Sequence, residues 1–181
     1  MADRGEPLGL YWLEEPCWPE RVDDIAAIQR SVTTPIATGE RLVGAQAFAD
    51  LLAQGACSVI QPDITHCGGL TEVRRIAALA EVHRVALAPH NPQGPVSTAA
   101  SIELGLADHV GGRREAVTSD VPWRSEVASE SHPVDRNGML ARPSGRPGLG
   151  IEIDLDVVAR HPFEPELPQR VFHADGSVGD W

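Results

Sequence analysis

Short runs of consecutive apolar residues recur along the chain between residues 10 and 117, and longer amphipathic segments separate them. The four clearest runs lie at residues 10–13, 35–38, 58–61 and 85–88. They are continuous rather than alternating, which is typical of strands in a parallel sheet that is covered on both faces. We therefore predict four parallel strands, with a weaker fifth near residues 110–117.

Each apolar run is followed by a segment with helical periodicity. Residues 22–32 place their apolar side chains on one helical face, with Asp23 and Asp24 near the start, where the helix dipole favours anions. Further helices are predicted around residues 45–52, after Gly68-Gly69, and from Pro95 to about Leu106. Repeated alternation of strand and helix indicates an α/β fold.

Five acidic or histidine residues lie where the successive strands should end. They are Glu14, Glu40, Asp63, His90 and Glu115, and their spacings are 26, 23, 27 and 25 residues. Each spacing fits one strand, one helix and two short loops. Strand ends on one face of an α/β barrel surround a single pocket, so we expect these side chains to converge. Their chemical types can hold a divalent cation and move a proton.

The number of predicted elements is too small for a closed barrel, which needs about eight βα units and about 250 residues. Five strands and four helices predict a partial (β/α) barrel domain over residues 1–116. After residue 117 seven prolines interrupt the chain, and Asn137-Gly138 is a hairpin-turn signal. We expect residues 117–181 to form a C-terminal extension that packs on the barrel.

Composition excludes several classes of function. The net charge is −11, and all fifteen basic residues are Arg, so no basic block is present for nucleic acid. The absence of Lys excludes a Schiff base or a Lys base within this chain. No apolar run is long enough to span a membrane, and the first residues lack the apolar core of a signal peptide. Three cysteines without a CxxC pair predict reduced thiols and a cytoplasmic protein.

Five short motifs occur in order at barrel spacing. They are Glu14-Glu15-Pro16, Thr38-Gly39-Glu40, Gln61-Pro62-Asp63 with Gly68-Gly69, Pro89-His90, and Pro147-Gly148-Leu149-Gly150. Together they resemble the mandelate racemase branch of the enolase superfamily, most of all its acid-sugar dehydratases of the galactonate type. The resemblance covers nearly the whole chain, and it implies a TIM-like (β/α) barrel.

The resemblance also implies a role for each of the five residues. Glu14 and Glu40 match Mg²⁺ ligands, Asp63 and His90 match a catalytic dyad, and Glu115 matches an acidic residue that faces the substrate carboxylate. The family further has an N-terminal capping domain, a third carboxylate ligand and a second acid/base on an early strand. We find none of these in the chain and expect the 181 residues alone to be inactive.

The implied reaction is dehydration of a small sugar acid by a Mg²⁺-dependent lyase. Enolase-superfamily enzymes remove a proton next to a carboxylate, and Mg²⁺ stabilises the ene-diolate that forms. A racemase or epimerase of the same superfamily would use the same residues. A truncated, non-catalytic remnant or interaction module is the alternative outside the enzymes. We expect the intact enzyme to be a homo-oligomer that binds neither nucleic acid nor membranes.

Overall fold

A four-stranded parallel sheet is the centre of the fold. The computed structural model describes residues 6–107, 113, 115–117, 121–129, 134–140, 145–165, 172–177 and 179. The strands follow chain order across the sheet, and they are β1 (Leu13–Glu14), β2 (Ile36–Thr38), β3 (Val59–Ile60) and β4 (Ala86–Leu87). Every neighbouring pair is parallel, and the α/β prediction is confirmed.

Helices connect the strands and continue beyond them. In chain order they are α1 (Val22–Ser31), α2 (Gly44–Ala53), α3 (Gly69–His83), α4 (Pro95–Ala107) and α5 (Leu155–Arg160). Single 3₁₀ turns occur at Glu6–Leu8 and Arg124–Glu126. Within the described residues, no helix combines the length and the apolar character that crossing a membrane requires.

The two faces of the sheet have different packing. Ile36 and Ile60 belong to the main core between the sheet and its helices, whereas Ala37 and Val59 belong to a small second cluster. Successive strand residues point to opposite faces, so the helices cover one face and mostly small residues line the other. Trp12 packs against the second cluster.

Helix α3 shows how the sequence pattern becomes packing. Its buried residues Val73, Ile76, Ala77 and Ala80 follow the spacing of one helical face. The helix ends at Arg84, whose left-handed backbone directs its N–H to the carbonyl groups of the last turn. The apolar face of α3 therefore contributes directly to the main core.

The first strand is shorter than predicted. Residues 10–12 are not in a strand, because pairing begins at Leu13 opposite Ile36. The residue before Ile36 is Pro35, which accepts a hydrogen bond from Leu13 N at 2.9 Å but has no N–H to donate. Half of the predicted fifth strand lies outside the described residues, and the other half, residues 113 and 115–117, has no strand assignment.

The described parts of the region after residue 117 contact each other and the preceding region. Ala128 and Ile153 form an antiparallel bridge, and Leu149 packs against the main core. Val134 and Leu140 pair around the turn at Asn137-Gly138, as the sequence predicted. The division into residues 1–116 and 117–181 stays a prediction.

Replacing Ile76 by Ala should destabilise the fold by about 2–5 kcal/mol, because a fully buried side chain leaves a cavity in the main core. Val82→Ala in the same helix is the matched control, since Val82 is 78% exposed, and it should change the free energy of unfolding by less than about 0.5 kcal/mol. Urea denaturation measures both. Equal effects of the two variants would contradict the assigned faces of α3.

Candidate active site

The parallel sheet places four of the five predicted site residues at one edge. Glu14 is the last residue of β1, Glu40 follows β2, and Asp63 and His90 follow β3 and β4. Because parallel strands end at the same edge of a sheet, these four positions are neighbours. Glu115 is brought to the same place by the segment after α4, where its carboxylate contacts the residue after His90.

Asp63 and His90 form a hydrogen-bonded pair. His90 Nδ1 lies 2.9 Å from Asp63 Oδ2, and Asp63 is fully buried. Asp63 Oδ1 accepts two bonds of 2.7 Å, from the backbone N and the hydroxyl of Thr65, and Gln93 Nε2 donates to Oδ2 at 2.8 Å. The three bonds from Thr65 and Gln93 have their donor on the other residue, as an ionised carboxylate requires.

The charge state of Asp63 follows from these contacts. Burial by itself raises the pKa of Asp63, but hydrogen bonds from Thr65, His90 and Gln93 favour the ionised form, and the net pKa is lowered. An ionised carboxylate can only accept, so His90 carries its proton on Nδ1 when it is neutral. Nε2 is then the nitrogen that can take up a proton.

Two carboxylates lie on the Nε2 side of the imidazole. Glu40 Oε2 is 3.3 Å from His90 Nε2, and Glu115 Oε2 is 3.9 Å from the same atom. Asn91 N donates to Glu115 Oε2 at 2.9 Å, and the buried Asn91 amide bonds the Glu115 carbonyl oxygen at 3.2 Å. Glu115 therefore faces the pair even though its side chain is 47% exposed.

Glu40 is also close to other carboxylates. Burial raises the pKa of Glu40, the charge of His90 opposes that rise, and the nearby charges of Glu15 and Glu14 and a hydrogen bond with Glu14 add to it. Adjacent carboxylates repel unless a proton or a cation lies between them. Glu14 also accepts a hydrogen bond, since Gln61 Nε2 donates to its Oε2 at 2.8 Å.

These donors fit a hard divalent cation in part. Mg²⁺ prefers carboxylate oxygens, and Glu14 and Glu40 supply them side by side. Glu15 instead accepts a hydrogen bond of 3.1 Å from the Thr38 hydroxyl. Among the described residues, no group of three or more His, Cys, Asp or Glu is arranged around a common metal position. Glu14 and Glu40 are therefore the two candidate metal ligands among the described residues.

The approach of Glu40 to the site depends on Gly39. Gly39 has a φ of +130°, and a Cβ at this position would lie 2.9 Å from a ring carbon of Phe48 and 3.2 Å from Gln61 N. Only glycine fits this backbone conformation and this space without strain. Gly39 thus allows the chain after β2 to pass close to Phe48 of α2 and to the backbone that follows β3.

Sequence reasoning assigned no role to several residues that hold the site. Thr65, Gln61, Asn91 and Gln93 each donate to one of the candidate residues. All four lie within three positions of a candidate residue along the chain. Their position next to a strand end is the feature of the sequence that could have identified them. His66 is largely exposed, with its Nδ1 3.9 Å from Asp63 Oδ2.

Comparison with known proteins agrees with this fold. Residues 1–157 match the family described as Enolase C-terminal domain-like, and the chain belongs to that family. It is 34% identical to D-galactonate dehydratase of Variovorax paradoxus and 36% identical to that of Ralstonia pickettii. Each match covers 97% of this chain and 48% of the relative, so the chain spans about half the length of these relatives.

Solved structures give the same family. A mandelate racemase/muconate lactonizing enzyme-like protein from Rubrobacter xylanophilus is 38% identical with a TM-score of 0.84, over 90% of this chain and 41% of that one. The 3,6-anhydro-D-galactonate cycloisomerase from Zobellia galactanivorans is 32% identical with a TM-score of 0.78, over 86% and 43%. The predicted resemblance and the partial (β/α) barrel are confirmed. The roles of the five site residues stay predictions.

The stability that Asp63 provides should depend on pH. Its pKa in the fold lies below the value of about 4 in an unfolded chain, so the bonds to the ionised form stabilise the fold above that pH. This stabilisation is lost as the pH falls through the folded-state pKa. The difference in unfolding free energy between the parent and Asp63→Asn should therefore shrink on acidification, as followed by urea denaturation at several pH values.

Val82→Ala is the control for this experiment, because it removes no titrating group and its difference from the parent should stay constant with pH. A difference between parent and Asp63→Asn that is equally large at pH 3 and pH 7 would show that the ionised form of Asp63 is not the one stabilised.

Proposed function

We propose that this chain carries part of the active site of a Mg²⁺-dependent sugar-acid dehydratase, a hydro-lyase that works by removing the proton α to a carboxylate. The observation that carries the proposal is the orientation of His90. Its Nδ1 is held by the buried, ionised Asp63, and its Nε2 lies among carboxylates at the edge where the strands end. This is the arrangement that a proton-transfer group needs.

In this proposal His90 moves the proton at Nε2. Neutral imidazole has a free electron pair there, and Asp63 stabilises the imidazolium that forms when the proton is taken up. The other oxygen of Asp63 is bonded twice by Thr65, so the carboxylate does not turn away as the charge on His90 changes. Glu115, fixed by Asn91, would face the carboxylate end of the substrate.

Glu14 and Glu40 are the proposed metal ligands of this chain. Bound Mg²⁺ would supply positive charge that stabilises the ene-diolate. Gln61 keeps one oxygen of Glu14 hydrogen-bonded and so limits rotation of that carboxylate. Glu40 Oε2 lies 3.3 Å from His90 Nε2, and this short distance supports proton transfer next to the proposed metal position.

The substrate class is proposed from the relatives. Proteins named D-galactonate dehydratase match 97% of the chain at 34–36% identity, which supports a sugar acid and loss of water. The structure from Zobellia galactanivorans is named a cycloisomerase of an anhydro sugar acid. Isomerisation or racemisation of a sugar acid is therefore the second candidate, because it needs the same proton transfer.

Location and assembly complete the proposal. We propose that the protein works in a reducing compartment, the cytoplasm, because Cys17, Cys57 and Cys67 are all free thiols and two of them are buried. Burial raises the pKa of the Cys57 thiol to about 12, so it is protonated and unreactive at neutral pH. The intact enzyme is proposed to be a homo-oligomer.

Changing His90 to Ala should lower kcat for the sugar acid by about 10²–10⁴-fold, because the group that transfers the proton is removed. The change is best made at the chromosomal locus, and the native protein is assayed from its source cells on a panel of sugar acids with Mg²⁺. Product analysis by mass separates loss of water from isomerisation. His83→Ala, on the exposed end of α3, is the matched control and should leave kcat unchanged. Normal turnover by His90→Ala would disprove the dyad.

The 181-residue chain assayed by itself should not turn over any sugar acid of the panel. Two carboxylates alone should bind Mg²⁺ weakly, and the described residues contain no group of three or more His, Cys, Asp or Glu around a common metal position. Isothermal titration with Mg²⁺ should show weak binding that Glu14→Gln combined with Glu40→Gln abolishes. Mg²⁺-dependent turnover by the purified chain would contradict this expectation.

A further inference from the structure

Gln93 joins the Asp63–His90 pair to the region after residue 117. Its side-chain Nε2 donates to Asp63 Oδ2 at 2.8 Å, the same oxygen that His90 Nδ1 contacts. Its backbone carbonyl oxygen accepts a hydrogen bond of 2.9 Å from Arg124 Nη2, in the 3₁₀ turn Arg124–Glu126. One residue thus contacts the dyad with its side chain and the C-terminal extension with its backbone.

The bond from Gln93 completes the coordination of Asp63. A carboxylate oxygen has two favourable acceptor directions, and on Oδ2 one is taken by His90 and the other by Gln93. Thr65 takes both on Oδ1. With all four directions occupied, rotation of the carboxylate would break several bonds at once. Hydrogen bonds to both oxygens therefore fix the orientation of the Asp63 carboxylate, and with it the orientation of the His90 ring.

Stability alone does not account for an amide at position 93. The Gln93 Oε1 atom is buried and has no hydrogen-bond partner within the described part of the chain. A buried polar atom without a partner destabilises a fold, whereas an apolar side chain of similar length would avoid that loss. Glutamine at position 93 is therefore better explained by its hydrogen bond to Asp63 than by packing in the core.

Arg124 contacts the backbone of Gln93. Gln93 sits in the loop between β4 and α4, where no regular secondary structure fixes its backbone. The Arg124 guanidinium bonds the Gln93 carbonyl, and the preceding Trp123 stacks on His161 with ring centroids 4.1 Å apart and planes at 9°. His161 follows α5 directly, so the 3₁₀ turn is held against a second described element of the extension.

We propose that Gln93 is a positioning residue of the Asp63–His90 dyad and that Arg124 holds it in place from the C-terminal extension. The inference deepens the proposed function, since it assigns to the extension the alignment of the group that moves the proton. Gln93 acts through Asp63, and its own atoms need not touch the substrate.

The Nδ1 proton of His90 reports this alignment directly. In the 181-residue chain with ¹⁵N-labelled histidine, a proton held between Nδ1 and Asp63 gives a downfield signal that exchanges slowly with water, and His90→Gln assigns it by removing it. Loss of one positioning hydrogen bond should speed this exchange by about ten-fold. We expect that increase in Gln93→Met and in Arg124→Met, and exchange close to the parent rate in Arg124→Lys, which keeps a donor.

Thermal unfolding of the same samples separates positioning from stability. The melting midpoint of Gln93→Met should lie close to that of the parent, because removal of the unpaired Oε1 offsets the lost hydrogen bond to the Asp63 carboxylate. Gln46→Met is the matched control, since Gln46 Nε2 also donates to a carboxylate, that of Asp50 at 2.9 Å, but on the exposed side of α2. It should leave the His90 signal unchanged.

Three outcomes would overturn the inference. They are a parent chain without a protected Nδ1 proton, exchange at the parent rate in both Gln93→Met and Arg124→Met, and faster exchange that appears equally in Gln46→Met. If Gln93→Met does not fold, the two Arg124 variants decide the question. The signal needs no substrate, so a protein that fails to dehydrate sugar acids could still show the alignment, and an active one could lack it.

Discussion

The parallel register of the four strands is the constraint on which the site depends. Thr38 pairs with Ile60 and Ile60 with Leu87, so β2, β3 and β4 end level with one another. β1 ends one residue earlier, since Glu14 lies opposite Ala37. Helices cover one face of the sheet and hold this register by packing against Ile36 and Ile60. A change in the register of one strand would separate its terminal residue from the others by several ångströms. The proximity of the five side chains is therefore a consequence of core packing.

Within that frame, the buried carboxylate of Asp63 has the largest influence on chemistry. A charge removed from water is costly unless hydrogen bonds replace the lost hydration. Thr65, Gln93 and His90 supply those bonds, and the result is a lowered pKa at a fully buried position. The same bonds decide which nitrogen of His90 carries the proton. The contacts that stabilise the buried Asp63 carboxylate thus also orient the His90 ring, on which the proposed proton transfer depends.

The carboxylates around His90 Nε2 have the opposite character. Burial and neighbouring negative charge raise the pKa of Glu40, and among the described residues no group of three or more His, Cys, Asp or Glu surrounds a common metal position. Both oxygens of Asp63 are hydrogen-bonded, whereas Glu14 and Glu40 lie beside each other as neighbouring acidic groups.

The sequence by itself determined the order of the four strands and their helices, the α/β class and four of the five predicted positions at strand ends. Continuous apolar runs, helical periodicity and spacings of 23 to 27 residues contain that information locally. It did not determine where β1 begins, since the limit is the missing N–H of Pro35 on a neighbouring strand. Nor did it single out Gln93 and Arg124, which lie 31 residues apart and meet only in the folded chain. Side-chain contacts between distant segments depend on loop geometry, and only the tertiary structure decides them.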